Sequence, residues 1–152
     1  MSKIDEKALE SMVRKVLTDI FSKNDDCCKE TKHIDKSGIL SVRVPEIKPE
    51  PFDTGKKGDK VLLKDLVTLQ ESPRLAFGVM EMDATDFEWT LNYDEVDYII
   101  EGTLEIIIDG RKVIGNKGDA IFIPKGSPIH FSAPKFARFL YVTYPADWAN
   151  QK

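Results

Sequence analysis

The N-terminal residues place apolar side chains at the spacing of one face of an α-helix. These positions recur every three or four residues and are Ile4, Ala8, Leu9, Met12, Val13, Val16, Leu17, Ile20 and Phe21. Ser2 is a suitable N-cap for such a helix, and the acidic side chains of Asp5 and Glu6 suit the positive end of its dipole. The pattern predicts an amphipathic helix over residues 1–22.

From residue 23 to residue 40 the chain is polar and has no apolar period, which predicts a linker. The following stretch, residues 44–51, carries three prolines. Proline lacks an amide proton and disfavours helical geometry in the residue before it, so this stretch is expected to be extended. Residues 40–52 are therefore a candidate for an edge strand, or for a segment exchanged between two chains.

After residue 60, short runs of apolar and β-branched residues alternate with turns that contain glycine, proline or asparagine. The runs predict nine strands, over residues 61–67, 75–82, 86–91, 96–101, 103–108, 111–115, 120–123, 128–132 and 137–144. Asp109-Gly110 separates two of these runs and is typical of a tight hairpin turn. Many short strands at this spacing predict an antiparallel sandwich or barrel, so residues 41–152 are assigned to one all-β domain.

The composition argues against several classes of function. The 152 residues carry 22 Lys and Arg against 26 Asp and Glu, and this net charge of −4 disfavours binding to nucleic acid phosphates. No apolar stretch approaches the roughly 20 residues that span a bilayer, and the N-terminus lacks the apolar core of a secretory signal. Cys27 and Cys28 are adjacent and are expected to be reduced thiols. The sequence thus predicts a cytoplasmic protein with neither a membrane nor a nucleic acid partner.

Two stretches resemble the paired motifs of the cupin superfamily. In the first, Glu95 is followed after six residues by Gly102. In the second, Gly118 is followed after five residues by Pro124, and one further residue precedes Gly126. This resemblance implies an all-β cupin barrel, a double-stranded β-helix or jelly roll, with the amphipathic α-helix in front of it.

The histidines that cupins use to hold a metal are missing. Trp89, Leu91, Glu95 and Ile129 occupy the four usual ligand positions, so a carboxylate is the one ligand type retained. A lone carboxylate does not hold a transition metal that prefers imidazole, and no metal site is predicted. His130 is one residue out of register and would face the opposite side of its strand, unless a bulge turns it inward.

Within the cupins, the chain is similar to the ethanolamine-utilisation protein EutQ family. The similarity covers residues 55–150 and is carried by the stretches 87–97, 122–127, 138–142 and 144–148. The resemblance implies a role in bacterial ethanolamine degradation inside a protein-shelled microcompartment. It also implies acetate kinase activity, with ATP and Mg²⁺ as the requirements of that reaction. Absent metal-binding histidines are expected in this family.

Strand alternation gives a prediction for the interior of the barrel. If Glu95 points inward, then Asp97 and Ile99 do so too, while Val96 and Tyr98 face outward. Glu95 and Asp97 are therefore the candidate catalytic residues, as a carboxyl pair that shares a proton or meets a hard cation. The alternative is a polar turn whose carboxylates are solvated.

Other side chains are expected around this pair, either lining the pocket or reaching a small-molecule ligand. These substrate-binding candidates are Trp89, Tyr93, Asp94, Lys125 and Tyr141. Tyr93 and Asp94 are placed at the lip of the pocket. Arg138, with Lys125, is a candidate for binding an anionic ligand, although a solvated turn lysine is the more common outcome for Lys125, and packing is as consistent as ligand binding for Tyr141.

Two functions and two roles for the helix remain open. The barrel is either an enzyme or a non-catalytic platform that binds a microcompartment component. A pocket plugged by Trp89, Leu91 and Ile129 favours the platform, whereas an acidic pocket open to solvent favours the enzyme. Residues 1–22 either dock on the shell or a core enzyme, or pack on the barrel or on a second subunit. A homodimer is expected, because cupins generally associate in pairs.

Overall fold

The computed structural model describes residues 31–151, and the helix predicted over residues 1–22 lies outside this range. The described residues form nine β-strands and two short 3₁₀ helices. The strands are β1 Lys32–Ile34, β2 Leu40–Val42, β3 Glu50–Pro51, β4 Val61–Asp65, β5 Ala76–Leu91, β6 Asp94–Ile108, β7 Arg111–Asn116, β8 Ala120–Ile123 and β9 Ser127–Tyr144. The 3₁₀ helices are Val44–Glu46 and Trp148–Asn150. Within this range, no helix combines the length and apolar character needed to cross a membrane.

Three long strands replace six of the predicted short ones. The pairs 75–82 with 86–91, 96–101 with 103–108, and 128–132 with 137–144 each merge into one continuous strand. The register shifts between Asp83 and Thr85, where Ala84 has a φ of 45°. Gly102 bends β6 with a φ of 77°, and a Cβ there would lie 2.0 Å from the Phe136 carbonyl oxygen. A bulge or a bend lets each strand turn a corner without ending.

The three long strands hold the two halves of a barrel together. In the main sheet the order is β3-β4-β5-β9-β6-β7, with β8 also paired to β6. All pairings are antiparallel. The hairpin predicted at Asp109-Gly110 is confirmed, since both residues have positive φ as a type I′ turn requires. The expected all-β architecture is likewise confirmed.

The described end of the predicted linker carries some regular structure. β1 and β2 pair as a separate two-stranded sheet, with Lys32 opposite Val42. Lys32 also donates a hydrogen bond to Glu71, at 2.6 Å. Further along, β3 lies at the edge of the main sheet, paired with β4 of the same chain. The stretch 40–52 therefore contributes one edge strand.

Arg138 fixes the segment after β2 to the barrel. Its guanidinium forms an ion pair with Glu81, the residue opposite it on β5. It also donates hydrogen bonds to the carbonyl oxygens of Val44 and Ile47, each at 2.9 Å. The Arg138 side chain is 13% exposed, so these contacts replace nearly all of its water. Arg138 therefore has a structural role, and its donors are not free for a ligand.

One outer face of the main sheet is apolar across four strands. Side chains in two adjacent cross-strand rows form this outer apolar face: Phe77, Val142, Val96 and Phe122 in one row, and Leu140, Tyr98 and Ala120 in the other, where Val79 completes the row on β5 but is fully buried. Phe122 is 62% exposed and Tyr98 48%. The solvent face of an antiparallel sheet is usually polar, so an apolar face is suited to contact with another surface.

Candidate functional site

Glu95 and Asp97 lie side by side on β6 and point into the barrel. They are 5% and 0% exposed, whereas the intervening Val96 is 40% exposed. The predicted alternation is thus confirmed by the structure. Across the sheet, Thr143 of β9 lies opposite Glu95 and Tyr141 lies opposite Asp97. The pair therefore sits within a small polar group in an otherwise apolar interior.

Burial disfavours the charged forms of both carboxyls. It raises the pKa of Glu95 to about 7, although the neighbouring Asp97 carboxyl lowers it in part through a hydrogen bond. The pKa of Asp97 is raised well above its ordinary value by burial and then by the charge of Glu95. Two adjacent carboxyls can bond to each other when one of them holds a proton. At neutral pH the pair therefore retains at least one proton, as the sequence predicted for a proton-sharing pair.

Three buried oxygen atoms in this group have no hydrogen-bond partner, apart from the proton that the carboxyls share. They are both carboxyl oxygens of Asp97 and the hydroxyl oxygen of Thr143. Thr143 is 1% exposed. Since buried polar atoms are nearly always paired, such a cluster is unusual in a protein interior.

Aromatic side chains close the barrel above the pair. This aromatic cover consists of Phe52, Trp89, Tyr93, Tyr141 and Trp148. The Trp148 ring lies 5.8 Å from the ring of Tyr93 and 6.4 Å from those of Trp89 and Tyr141, measured between centroids. The acidic pair therefore lies beneath a layer of rings and not in a pocket open to solvent.

Two hydrogen bonds hold the rings in place. Trp89 donates from Nε1 to the Tyr93 hydroxyl oxygen at 2.9 Å, and the Tyr141 hydroxyl donates to Asp65 at 2.6 Å. Burial raises the pKa of both phenols, and the Glu95 charge raises it further. Tyr93 was expected at the lip of the pocket, but it is only 4% exposed. That expectation is wrong, because the C-terminal Trp148 covers the ring.

Two of the predicted ligand-binding residues lie outside the barrel. Asp94 accepts a hydrogen bond from the backbone amide of Lys125, at 2.8 Å, and so fixes the turn before β9. Its neighbour in sequence, Glu95, points to the opposite side of the strand. Lys125 is exposed on that turn. The Lys125 side chain therefore lies beside β6 but outside the barrel interior that holds Glu95 and Asp97.

Three of the four usual cupin ligand positions are filled with apolar side chains, Trp89, Leu91 and Ile129, and Glu95 is the fourth. Leu91 and Ile129 are 0% and 3% exposed and belong to the core. The side chain of His130 is 43% exposed and lies 3.7 Å from Glu88. No register shift turns His130 inward, so the alternative of a displaced metal ligand is wrong. Within residues 31–151, no three His, Cys, Asp or Glu side chains converge on a metal position.

Sequence reasoning missed three members of the site. Thr143 shares a face with Tyr141, so strand alternation was enough to place it inside, but nothing marked it as unpartnered. Trp148 follows β9 in a short 3₁₀ helix, and Phe52 follows the edge strand β3. Neither position belongs to a periodic pattern. Only tertiary packing brings these two rings over the pair.

Comparison with known proteins identifies the family. Residues 4–150 match the family described as ethanolamine utilisation protein EutQ. A Clostridioides difficile protein named "Acetate kinase EutQ" is 53% identical, and the match covers 99% of this chain and 98% of that protein. The chain belongs to the EutQ family. It is therefore related to proteins of ethanolamine utilisation.

Other relatives and structures agree with this assignment. A Salmonella typhimurium "Acetate kinase EutQ" is 44% identical over 76% of this chain. The match covers 50% of the Salmonella protein, so this chain spans about half of the length of that relative. The solved structure of Clostridium difficile EutQ is 60% identical, with a TM-score of 0.77, and covers 80% of this chain and 90% of that one. A Schizosaccharomyces pombe Cnp3 cupin domain, at 17% identity, has a TM-score of 0.56 over 74% of this chain and 80% of that one, which supports the cupin fold alone.

Proposed function

We propose that this chain is an acetate kinase of ethanolamine catabolism and that it acts in association with a bacterial microcompartment. The observation that carries the proposal is the name of the relative that is 53% identical over 99% of the chain, "Acetate kinase EutQ". The site proposed for the reaction is the Glu95–Asp97 pair beneath the aromatic cover. It is the buried, proton-holding group at the position where cupins hold a metal.

In the direction that makes ATP, acetyl phosphate and ADP give acetate and ATP. A terminal phosphate oxygen of ADP forms a new bond to phosphorus, and the bond between phosphorus and the acetyl oxygen breaks. Negative charge then develops on the departing acetyl oxygen. A protonated carboxyl of the pair is suited to donate a hydrogen bond to that oxygen, since the raised pKa of Glu95 keeps a proton available near neutral pH.

Mg²⁺ has no resident site in this arrangement. The ion prefers about six oxygen ligands and gives up its water reluctantly. Around the pair there are three unpartnered oxygens, and the covering side chains are aromatic rings. We therefore assign Mg²⁺ to the nucleotide, as part of the substrate. Lys125 is the basic side chain beside this strand that remains exposed, and we propose that it contacts the phosphates.

Replacing Glu95 by Gln tests the proposed site. The variant keeps nearly the same volume but removes the ionisable carboxyl. We expect acetate kinase turnover to fall by at least about tenfold in both directions, because an amide is a weaker donor to a developing charge than a carboxylic acid. The measurement is initial rates of ATP formation and of ADP formation in matched preparations.

Glu101→Gln is the control, since Glu101 is exposed on the same strand and its side chain lies outside the barrel. This variant should keep the rate of the unmodified protein. Equal rates in Glu95→Gln and the unmodified protein would remove the barrel interior from the mechanism. An unmodified protein without turnover would contradict the kinase proposal as a whole.

A second candidate function is a non-catalytic platform for microcompartment assembly. Two observations favour it: Asp97 is 0% exposed beneath a closed cover, and the outer apolar face offers a binding surface. Under this alternative the carboxyl pair is structural. We also propose that residues 1–22 dock on the microcompartment shell or on a core enzyme. These residues lie outside the range that the structure describes.

We propose that two chains pair through the outer apolar face, which fits the apolar centre of an interface between copies.

Phe122→Glu places a charge where the exposed ring is expected to be buried. The dimer dissociation constant should rise by at least about tenfold, because burying an unpaired carboxylate is costly. Sedimentation equilibrium measures it. Ile39→Glu is the control, as Ile39 is 74% exposed in the β1–β2 hairpin, away from this face. Equal dissociation constants for Phe122→Glu and the unmodified protein would exclude the face.

A further inference from the structure

The polar group inside the barrel has more hydrogen-bond acceptors than donors. Both carboxyl oxygens of Asp97 and the Thr143 hydroxyl oxygen are buried without a partner, apart from the proton shared with Glu95. Leaving a charged or polar group buried without a partner typically costs about 1–3 kcal/mol or more. The three oxygens are on facing positions of β6 and β9, since Thr143 is opposite Glu95, one inward position from Asp97. They therefore lie on the same inner face of two adjacent strands.

The surrounding protein does not supply the missing donors. The Tyr141 hydroxyl donates to Asp65, and the Tyr93 hydroxyl, which accepts the Trp89 indole N–H, forms no hydrogen bond to these three oxygens. Among the described residues, the ion pairs formed by lysines and arginines involve other carboxylates. A ligand that carries positive charge and several N–H donors would satisfy the group.

The walls above the group have the chemistry that complements such a ligand. The Trp148 ring packs on those of Tyr93 and Tyr141, with centroids 5.8 and 6.4 Å apart, and both phenols are near enough to Glu95 for its charge to raise their pKa. Aromatic faces attract organic cations, and they also accommodate an attached alkyl chain. By contrast, a hydrated divalent metal gains little from a wall of rings.

The covering ring of Trp148 separates two cavities. One cavity, of about 340 Å³, is lined by Phe52, Trp89, Tyr93 and Trp148, among others. The second, of about 320 Å³, includes Asp65 and lies on the other side of Trp148. Each is large enough for a molecule of a few heavy atoms. Glu95, Asp97 and Thr143 line neither cavity, so binding of an amine requires the rings that cover them to move.

We infer that Glu95, Asp97 and Thr143 form a binding site for a small primary alkylammonium ion. Its three N–H groups match the three unpartnered oxygens in number, and its alkyl group would lie against the aromatic cover. Binding replaces the proton that the two carboxyls share. The inference goes beyond the proposed kinase activity and does not depend on it, because binding requires no nucleotide.

Calorimetry with ethylammonium chloride and with ethanolamine hydrochloride tests the site, at pH 8 and constant ionic strength. At this pH the amines are charged, as a lysine side chain is. We expect saturable binding to the full chain, and a dissociation constant at least about tenfold higher for Thr143→Val, which removes one acceptor at constant shape. Thr143→Ser keeps the hydroxyl and should bind like the unmodified protein. Thr103→Val, at a hydroxyl on the barrel exterior, is the matched control.

Two further titrations serve as negative controls. Ethylene glycol has a similar size but no charge and is expected not to bind. Mg²⁺ alone is expected not to bind at this position either. The inference is overturned by three results: no saturable amine binding at millimolar amine concentrations, equal affinity in Thr143→Val and the unmodified protein, or a Mg²⁺ affinity that depends on Thr143. The kinase assay fails or succeeds independently of these results.

Discussion

Replacing Arg138 by Ala is expected to lower the free energy of unfolding by about 3–5 kcal/mol, the range for breaking a buried ion pair from one side. The change leaves the Glu81 carboxylate without its partner, although that side chain is only 20% exposed. It also removes the donors that the carbonyl oxygens of Val44 and Ile47 use. Urea denaturation, followed by circular dichroism, measures the loss.

An exposed arginine provides the comparison. Arg43 is 53% exposed and lies 3.6 Å from Glu46, so Arg43→Ala should cost less than about 1 kcal/mol. Arg138→Lys keeps the charge but not the planar, forked set of N–H donors. Its loss of unfolding free energy is therefore expected to lie between those of Arg43→Ala and Arg138→Ala. If Arg138→Ala were no more destabilising than Arg43→Ala, the segment that precedes β3 would not depend on this contact.

Stability is expected to fall as the pH rises from about 4.5 to 8, through the ionisation of Glu95. The folded protein raises the pKa of this carboxyl from 4.5 to about 7, mainly by burial. Between these values the folded state binds more protons than the unfolded chain, so unfolding releases protons and higher pH favours it. The contribution is about 3 kcal/mol, and it levels off above pH 7.

Glu95→Gln isolates this contribution, since glutamine has no carboxyl to ionise. The variant should gain about 3 kcal/mol of stability relative to the unmodified protein between pH 4.5 and pH 8. Glu101→Gln should follow the unmodified protein at every pH, because Glu101 is exposed. Parallel curves for Glu95→Gln and the unmodified protein would show that Glu95 ionises as freely in the barrel as in the unfolded chain.

Strand alternation was sufficient to place the carboxyl pair, because it is a local property of a β-strand. Once Glu95 is assigned to the inside, Asp97 follows two residues later without any tertiary information. The hairpin at Asp109-Gly110 was predictable for the same reason, since its turn type depends on two adjacent residues. Strand ends were less predictable: Gly102 was taken as a break between strands, but in the structure β6 bends there and continues.

The aromatic cover was not predictable from local pattern. Phe52 and Trp148 are almost a hundred residues apart in the chain, and each lies just outside a strand. Their contact depends on how the barrel closes. The same limitation applies to Arg138, whose partners at Val44 and Ile47 are more than 90 residues away. An arginine on a strand carries no local sign that its donors are already used.

The position of β9 in the sheet has a consequence for synthesis of the protein on the ribosome. β9 is the last strand of the chain, yet it lies between β5 and β6 and pairs with both along most of their lengths. The long strands made earlier therefore lack their shared neighbour until residue 144 has emerged. Until then their backbone edges are unpaired, so the nascent chain is prone to aggregate until β9 has left the ribosome.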